Sequence, residues 1–153
     1  MNKLYVLVGV PGSGKSTWVS KQHWARDCVY VSTDMHIEDY ANLVGKTYSE
    51  VFDKFMPKAI ELMAQDVRAA RTAGKDIIWD QTSTTVKSRA RKFRMLPDYE
   101  AIAVVFKTPE KEELDKRLAG RPGKHIPNHV IKTMISGLQE PTKDEGFSDI
   151  WYV

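Results

Sequence analysis

The chain has 153 residues, 42% of them hydrophobic, and a formal net charge of +3 from 23 Lys and Arg against 20 Asp and Glu. That length supports one hydrophobic core, and the single cysteine, Cys28, excludes an internal disulfide and a cysteine-based metal site. No apolar run approaches the ~20 residues of a membrane span, and the N-terminal segment does not read as a signal peptide, so no membrane partner and a cytoplasmic location are expected.

Leu4-Tyr5-Val6-Leu7-Val8 reads as the core of a buried strand over 3–8. Gly9-Val10-Pro11-Gly12-Ser13-Gly14-Lys15-Ser16 follows, a complete G-x-x-x-x-G-K-S loop, and a helix is expected over 15–25. Glycines let the backbone curl so that several N–H groups converge on one phosphate. The helix start adds its positive dipole. Lys15 is placed to reach β- and γ-phosphates and Ser16 to hold magnesium. Gly9, Pro11, Gly12, Ser13, Gly14, Lys15, Ser16 and Thr17 are therefore expected to bind ATP with Mg2+. Trp18 is expected to pack under a sheet, and Cys28 to be a buried structural thiol.

A second strand over 28–32 runs into Ser32-Thr33-Asp34. A carboxylate at that strand end can take the proton of an attacking alcohol, or it can cap the following helix. Helical spacing covers 34–73, with Gly45 between two helices at 34–42 and 49–73 and Gly74 placed to end the second. A third strand over 76–80 ends in Asp80, which can organise a metal-bound water or the acceptor, or cap the next helix. Gln81 and Thr82 offer polar contacts beside it.

The helix expected over 85–95 carries Lys87-Ser88-Arg89-Ala90-Arg91-Lys92-Phe93-Arg94. This patch suits the phosphates of a nucleic-acid strand, with Arg89 and Arg91 as contacts, or it is a solvated face. After a strand over 101–106, helical spacing over 109–138 is interrupted by Gly120-Arg121-Pro122-Gly123-Lys124-His125-Ile126-Pro127. Arg117 and Arg121 there can neutralise charge on a transferring phosphoryl group, or simply end a helix in solvent. His125 is assigned no role. A short last strand is expected over 149–153. Alternating strands and helices predict a three-layer α/β domain over 1–153, with a central parallel sheet of about five strands, ligands at the strands' carboxyl ends, and a lid loop.

These pieces resemble the polynucleotide 5′-kinases, P-loop kinases that phosphorylate the 5′-hydroxyl of DNA or RNA. The string Gly9 to Trp18 is similar to the opening of the phage end-healing kinase. Asp34 stands at the family's general base, in Ser32-Thr33-Asp34 rather than Asn-Arg-Asp. Asp80-Gln81-Thr82-Ser83 stands where the family carries Asp-Asn-Thr-Asn or Asp-Thr-Asn, and Arg121 falls near its lid arginine. Ser88-Arg89-Ala90-Arg91, His125-Ile126-Pro127, Pro141-Thr142 and Glu145-Gly146-Phe147-Ser148-Asp149-Ile150 also resemble family strings. Some members carry an arginine three positions after the base; this chain has Ile37.

The resemblance implies an ATP-dependent kinase acting on nucleic acid, without the family's phosphatase domain and phage-encoded, which would place it in the host cytoplasm. Lys15, Asp34, Asp80 and Arg121 are its implied catalytic residues. Three other readings stand beside it: a kinase of 5-hydroxymethyluracil in phage DNA, a kinase of a nucleoside, sugar or antibiotic, and a nucleotide-dependent switch that transfers nothing. The oligomeric state is open.

Overall fold

In β1 (Lys3–Val8), Leu4, Val6 and Val8 face one side of the sheet, Tyr5 and Leu7 the other, and all are buried. A strand apolar on both sides must be covered on both, the condition met by parallel sheets. The remaining strands of this computed structural model, which describes residues 1–153, are β2 (Val29–Val31), β3 (Ile77–Trp79), β4 (Glu100–Val105) and β5 (Phe147–Tyr152). They pair in the order β2-β3-β1-β4-β5, every pair parallel. The expected five-stranded, three-layer architecture is the one observed.

The helices are α1 (Lys15–Ser20), α2 (Thr33–Val44), α3 (Tyr48–Thr72), α4 (Val86–Met95), α5 (Lys111–Ala119) and α6 (Asn128–Ser136). On one face of the sheet Met63, Val67 and Ala70 of α3, with Leu96 beyond α4, join Leu4, Val6, Ile77 and Ala103 in the main core. On the other face Trp18 of α1 and Trp24 meet edge-on, 5.9 Å apart, so Trp18 packs as expected. Leu114 of α5 and Ile131 of α6 close on Val10 beneath the glycine-rich loop. Cys28 is half-buried, and burial pushes its thiol up to about 11, an unreactive structural group. No helix is long and apolar enough to cross a membrane.

Boundaries differ from the sequence pattern in three places. The helix expected over 15–25 tightens after Ser20, where Lys21 and Gln22 N–H bond carbonyls three residues back, and continues as a 3₁₀ turn over His23–Asp27. The break at Gly45 falls where expected, but α2 runs on to Val44, and Thr47 starts α3 at Tyr48 with a reciprocal capping box to Glu50. The last strand begins at Phe147, two residues early, because Phe147 is buried edge-on against Phe93.

Arg89 is a correction. It is 0% exposed and cannot contact a nucleic-acid strand. Its Nε and Nη2 donate to both carboxylate oxygens of Glu145, at 2.8 and 3.1 Å, and its Nη1 donates to the Ser83 carbonyl at 2.9 Å. Two of the strings that resemble family strings, 88–91 and 145–150, are thus joined by a buried strut between α4 and the turn before β5. Lys92 is also buried, its ammonium 5.0 Å from the Trp79 ring, and burial pulls it down to about 8. The basic face of α4 is reduced to Lys87, Arg91 and Arg94.

Removing one partner of a buried ion pair leaves the other charge desolvated. Arg89→Met is therefore expected to cost about 3–5 kcal/mol of unfolding free energy, whereas exposed Arg91→Ala stays within about 0.5 kcal/mol of the parent. Urea unfolding of the two variants checks this.

Candidate active site

The glycine-rich loop leaves β1 and enters α1 through Gly14, whose φ of 97° is open only to a residue without Cβ strain. Gly9 N–H donates to the Thr82 carbonyl at 3.0 Å, tying the loop to the exit of β3. Lys15 Nζ donates to the carbonyls of Gly9 (2.9 Å) and Val10 (3.0 Å). Ser13 Oγ is buried in the loop with no hydrogen-bond partner. An orphaned hydroxyl, a helix start and an ammonium resting on its own loop fit a triphosphate. Ser16 and Thr17 are exposed on the first turn of α1. The chain assembles no group of three His, Cys, Asp or Glu that could hold a metal ion. A magnesium ion arriving with the nucleotide would be held from the protein side by the Ser16 hydroxyl.

Neither strand-end carboxylate is consumed by capping. Ser32 caps α2, its Oγ accepting from Asp34 N–H at 3.1 Å, and Thr85 caps α4 by accepting from Ser88 N–H at 3.1 Å. Asp34 is left in the first turn of α2, where the helix dipole favours negative charge, with its side chain 49% exposed. Its Oδ1 accepts from the Tyr48 hydroxyl at 2.6 Å, and its Oδ2 from Lys124 Nζ at 3.0 Å. Asp80 is held by its N–H to the Val31 carbonyl (2.8 Å), and its Oδ2 accepts from the Tyr30 hydroxyl. Burial pushes the Asp80 carboxyl above the usual carboxylate range, against the opposing pull of Tyr30 and Lys15. Burial also raises the hydroxyls of Tyr30 and Tyr48, reinforced by Asp80 and Asp34 respectively, so both remain donors.

The lid loop, 120–127, sits between α5 and α6. Arg117 Nη1 donates to the Gly12 carbonyl at 3.0 Å, so this arginine reaches the glycine-rich loop, while its Nε pairs with Glu113 at 2.9 Å. Arg121 is half-buried beside Lys124 and lines a cavity of about 270 Å3 with Thr47 and Ser49 at the start of α3. Burial pulls Lys15 down to about 8; Asp80 and Asp34 oppose that fall, and Arg121 and Lys124 add to it. Lys15, Asp34, Asp80 and Arg121 thus occupy one electrostatic neighbourhood.

Other expected residues are less engaged. Gln81 accepts from the indole N–H of Trp79 at 3.0 Å, and Thr82 supports the loop through its carbonyl. Arg91 is exposed on α4 and makes no side-chain hydrogen bond within the chain. Ile37 is 0% exposed in the core between α2 and α3 and offers nothing to a ligand. Sequence reasoning missed Tyr30, Tyr48 and Lys124. Lys124 was legible only as part of a basic loop, and Tyr48 only as the residue after a helix cap.

Residues 4–141 match the sequence model of the AAA domain family. The chain is 26% identical over 153 aligned residues to the bifunctional polynucleotide phosphatase/kinase of Schizosaccharomyces pombe, covering 97% of this chain and 32% of that protein. It therefore spans about a third of the length of that relative. A chain of the Pnkp1/Rnl/Hen1 RNA repair complex superposes with a TM-score of 0.66 at 26% identity, over 90% of this chain and 44% of that one. A gluconokinase from Sinorhizobium meliloti superposes with a TM-score of 0.55 at 18% identity, over 99% of this chain and 81% of that one, a likeness of fold.

Phosphates bind the charged form of Lys15, which burial leaves only half populated at about pH 8. Affinity for ATP with magnesium is expected to fall about tenfold or more between about pH 7 and 9.5, since each pH step above the group's midpoint removes a tenfold share of ammonium. Calorimetric titration across that range checks it, with Lys15→Met binding weakly and with no such slope.

Proposed function

This chain belongs to the AAA domain family and has the fold of a P-loop kinase, and we propose that it transfers the γ-phosphate of ATP to a hydroxyl of nucleic acid, the 5′-hydroxyl end of a DNA or RNA strand. The observation that carries this reading is Asp34. Its carboxylate is half-exposed, relieved of capping by Ser32, and stands at the sheet edge that also carries Lys15. The polynucleotide kinase-like relatives support nucleic acid as the acceptor class.

ATP with its magnesium supplies the transferable phosphoryl group when bound. Lys15 exchanges the Gly9 and Val10 carbonyls for phosphate oxygens, and Ser16 would hold the metal. Asp34 accepts the proton of the attacking hydroxyl as the new oxygen–phosphorus bond forms and the bond to the β-phosphate oxygen breaks. Arg121, with Arg117 already on the loop, closes on the charge that spreads over the transferring group. Asp80, partly desolvated and oriented by Tyr30, would orient the acceptor or help hold the hydrated magnesium.

One observation favours a second reading, a small-molecule kinase. With Arg89 and Lys92 buried, α4 offers a polymer fewer cations than its composition suggests. The two readings separate on salt, because a site contacting several phosphates weakens steeply as salt rises.

Labelled transfer from γ-labelled ATP is the test. The panel contains 5′-hydroxyl DNA, 5′-hydroxyl RNA, duplex DNA bearing 5-hydroxymethyluracil, free nucleosides and gluconate. Label on strand ends, removable by phosphatase, is the expected result. Label only on the modified base or on a small molecule replaces the proposed acceptor, and label appearing only as inorganic phosphate replaces kinase by switch. Asp34→Asn is expected to abolish transfer with ATP affinity retained, and unchanged transfer would remove it as the base. Arg121→Ala is expected to lose ~10³-fold in kcat; a loss under about tenfold would remove it from the transition state.

A further inference from the structure

The lid is anchored at two places with different consequences. On the nucleotide side α5, which leads into the loop, holds the Gly12 carbonyl through Arg117. On the far side the loop docks on the corner between α2 and α3. Ser49 N–H, in the first turn of α3, is one of the donors that a helix start leaves without an intrahelical partner. The Thr47 hydroxyl serves Glu50 N–H instead, and the Gly123 carbonyl accepts from Ser49 N–H at 3.0 Å. His125 N–H donates to Ser49 Oγ at 2.7 Å. Gly123 has φ +69°, and a Cβ there would stand 2.9 Å from the Thr47 Cβ, so the docked loop requires glycine.

Between these two backbone anchors the lid delivers Lys124. Its side chain is only 15% exposed. The ammonium lies 3.0 Å from Asp34 Oδ2, 3.7 Å from Glu38 Oε1 and 4.4 Å from the centre of the Tyr48 ring. Tyr48 in turn donates to the other Asp34 oxygen. Each carboxylate oxygen can accept more than one hydrogen bond, so both grips leave a lone pair for an incoming hydroxyl. An aspartate in the first turn of a helix, half in solvent, would otherwise exchange among rotamers. A lysine held by an exposed ion pair alone would contribute little. Here the ordering entropy of Lys124 is met by its burial against Tyr48 and by the docked backbone on both sides of it.

We infer that Lys124 is a positioning residue for the proton acceptor: docking of the lid on the α2–α3 corner is what fixes the Asp34 carboxylate for attack. The inference rests on Asp34 as the base in the proposed function. It makes one connection serve both substrates, with Arg117 of α5 on the glycine-rich loop and Lys124 of the lid on Asp34.

The test uses the full chain, magnesium, ATP and the acceptor that takes most label in the panel. Lys124→Met is expected to lower kcat about tenfold or more, with KM for ATP within about twofold, the pattern of an interaction needed in the transition state and not for nucleotide binding. Lys124→Arg, which keeps the charge, is expected to recover most of that loss. Gly123→Ala keeps the lysine but blocks docking, and is expected to lose kcat to a similar degree. Melting midpoint and ATP affinity of each variant serve as controls on folding.

A Lys124→Met enzyme with kcat within about twofold of the parent, beside an inactive Asp34→Asn, would overturn this inference and leave the proposed base standing. A loss of kcat that comes with lowered ATP affinity and melting midpoint, and that Lys124→Arg does not recover, would also overturn it as merely structural. Transfer that persists in Asp34→Asn would bring down the base and the positioning role together.

Discussion

Two backbone hydrogen bonds at the carboxyl edge of the sheet hold the site together. Gly9 N–H to the Thr82 carbonyl (3.0 Å) fastens the start of the glycine-rich loop to the exit of β3, and Asp80 N–H to the Val31 carbonyl (2.8 Å) fastens that exit to the end of β2. Each is worth only about 1 kcal/mol net, but their geometric effect is larger. They bring three strand ends into one row, so that the loop, Asp80 and the start of α2 carrying Asp34 are tied to one rigid edge. A parallel sheet suits this purpose because all its strands end on the same side.

The division of labour among polar residues follows from what a helix start requires. Every α-helix begins with backbone donors that need partners. At α2, α3 and α4 the partners are Ser32, Thr47 and Thr85, and at α3 the lid itself supplies another through Gly123. Hydroxyls and a loop carbonyl satisfy the backbone, and carboxylates near the same strand ends remain available. Ser32 and Asp34 show this over three residues: the side chain with no charge does the structural work, and the charged one is left in the dipole field, near enough to act on Lys15.

Burial works against two opposite charges in the site. Lys15 is partly desolvated and rests on neutral carbonyls, while Asp80 is partly desolvated and rests on a tyrosine hydroxyl. Both charged forms are disfavoured by burial, and the helix start and Ser13 add unsatisfied donors. Under the proposed function, ATP with its magnesium would supply a countercharge to each. The cations of α5 and the lid add to this, Arg117 on the glycine-rich loop and Lys124 on Asp34.

Local patterns were enough to read the strands, the glycine-rich loop, the breaks at Gly45 and at 120–127, and the two strand-end acids. Each depends on residues adjacent in the chain: a run of apolar side chains, a glycine spacing, an acid at the end of an apolar run. The same patterns misread Arg89, because a basic helix looks alike whether its arginine faces solvent or a carboxylate 56 residues away. They also passed over Tyr30, Tyr48 and Lys124, which lie 50, 14 and 90 residues from the carboxylates they touch. Composition and periodicity record which side chains a segment has and how often they recur. Whether an ammonium meets solvent, an indole or an aspartate is decided when distant segments pack, because burial and partner geometry exist only then.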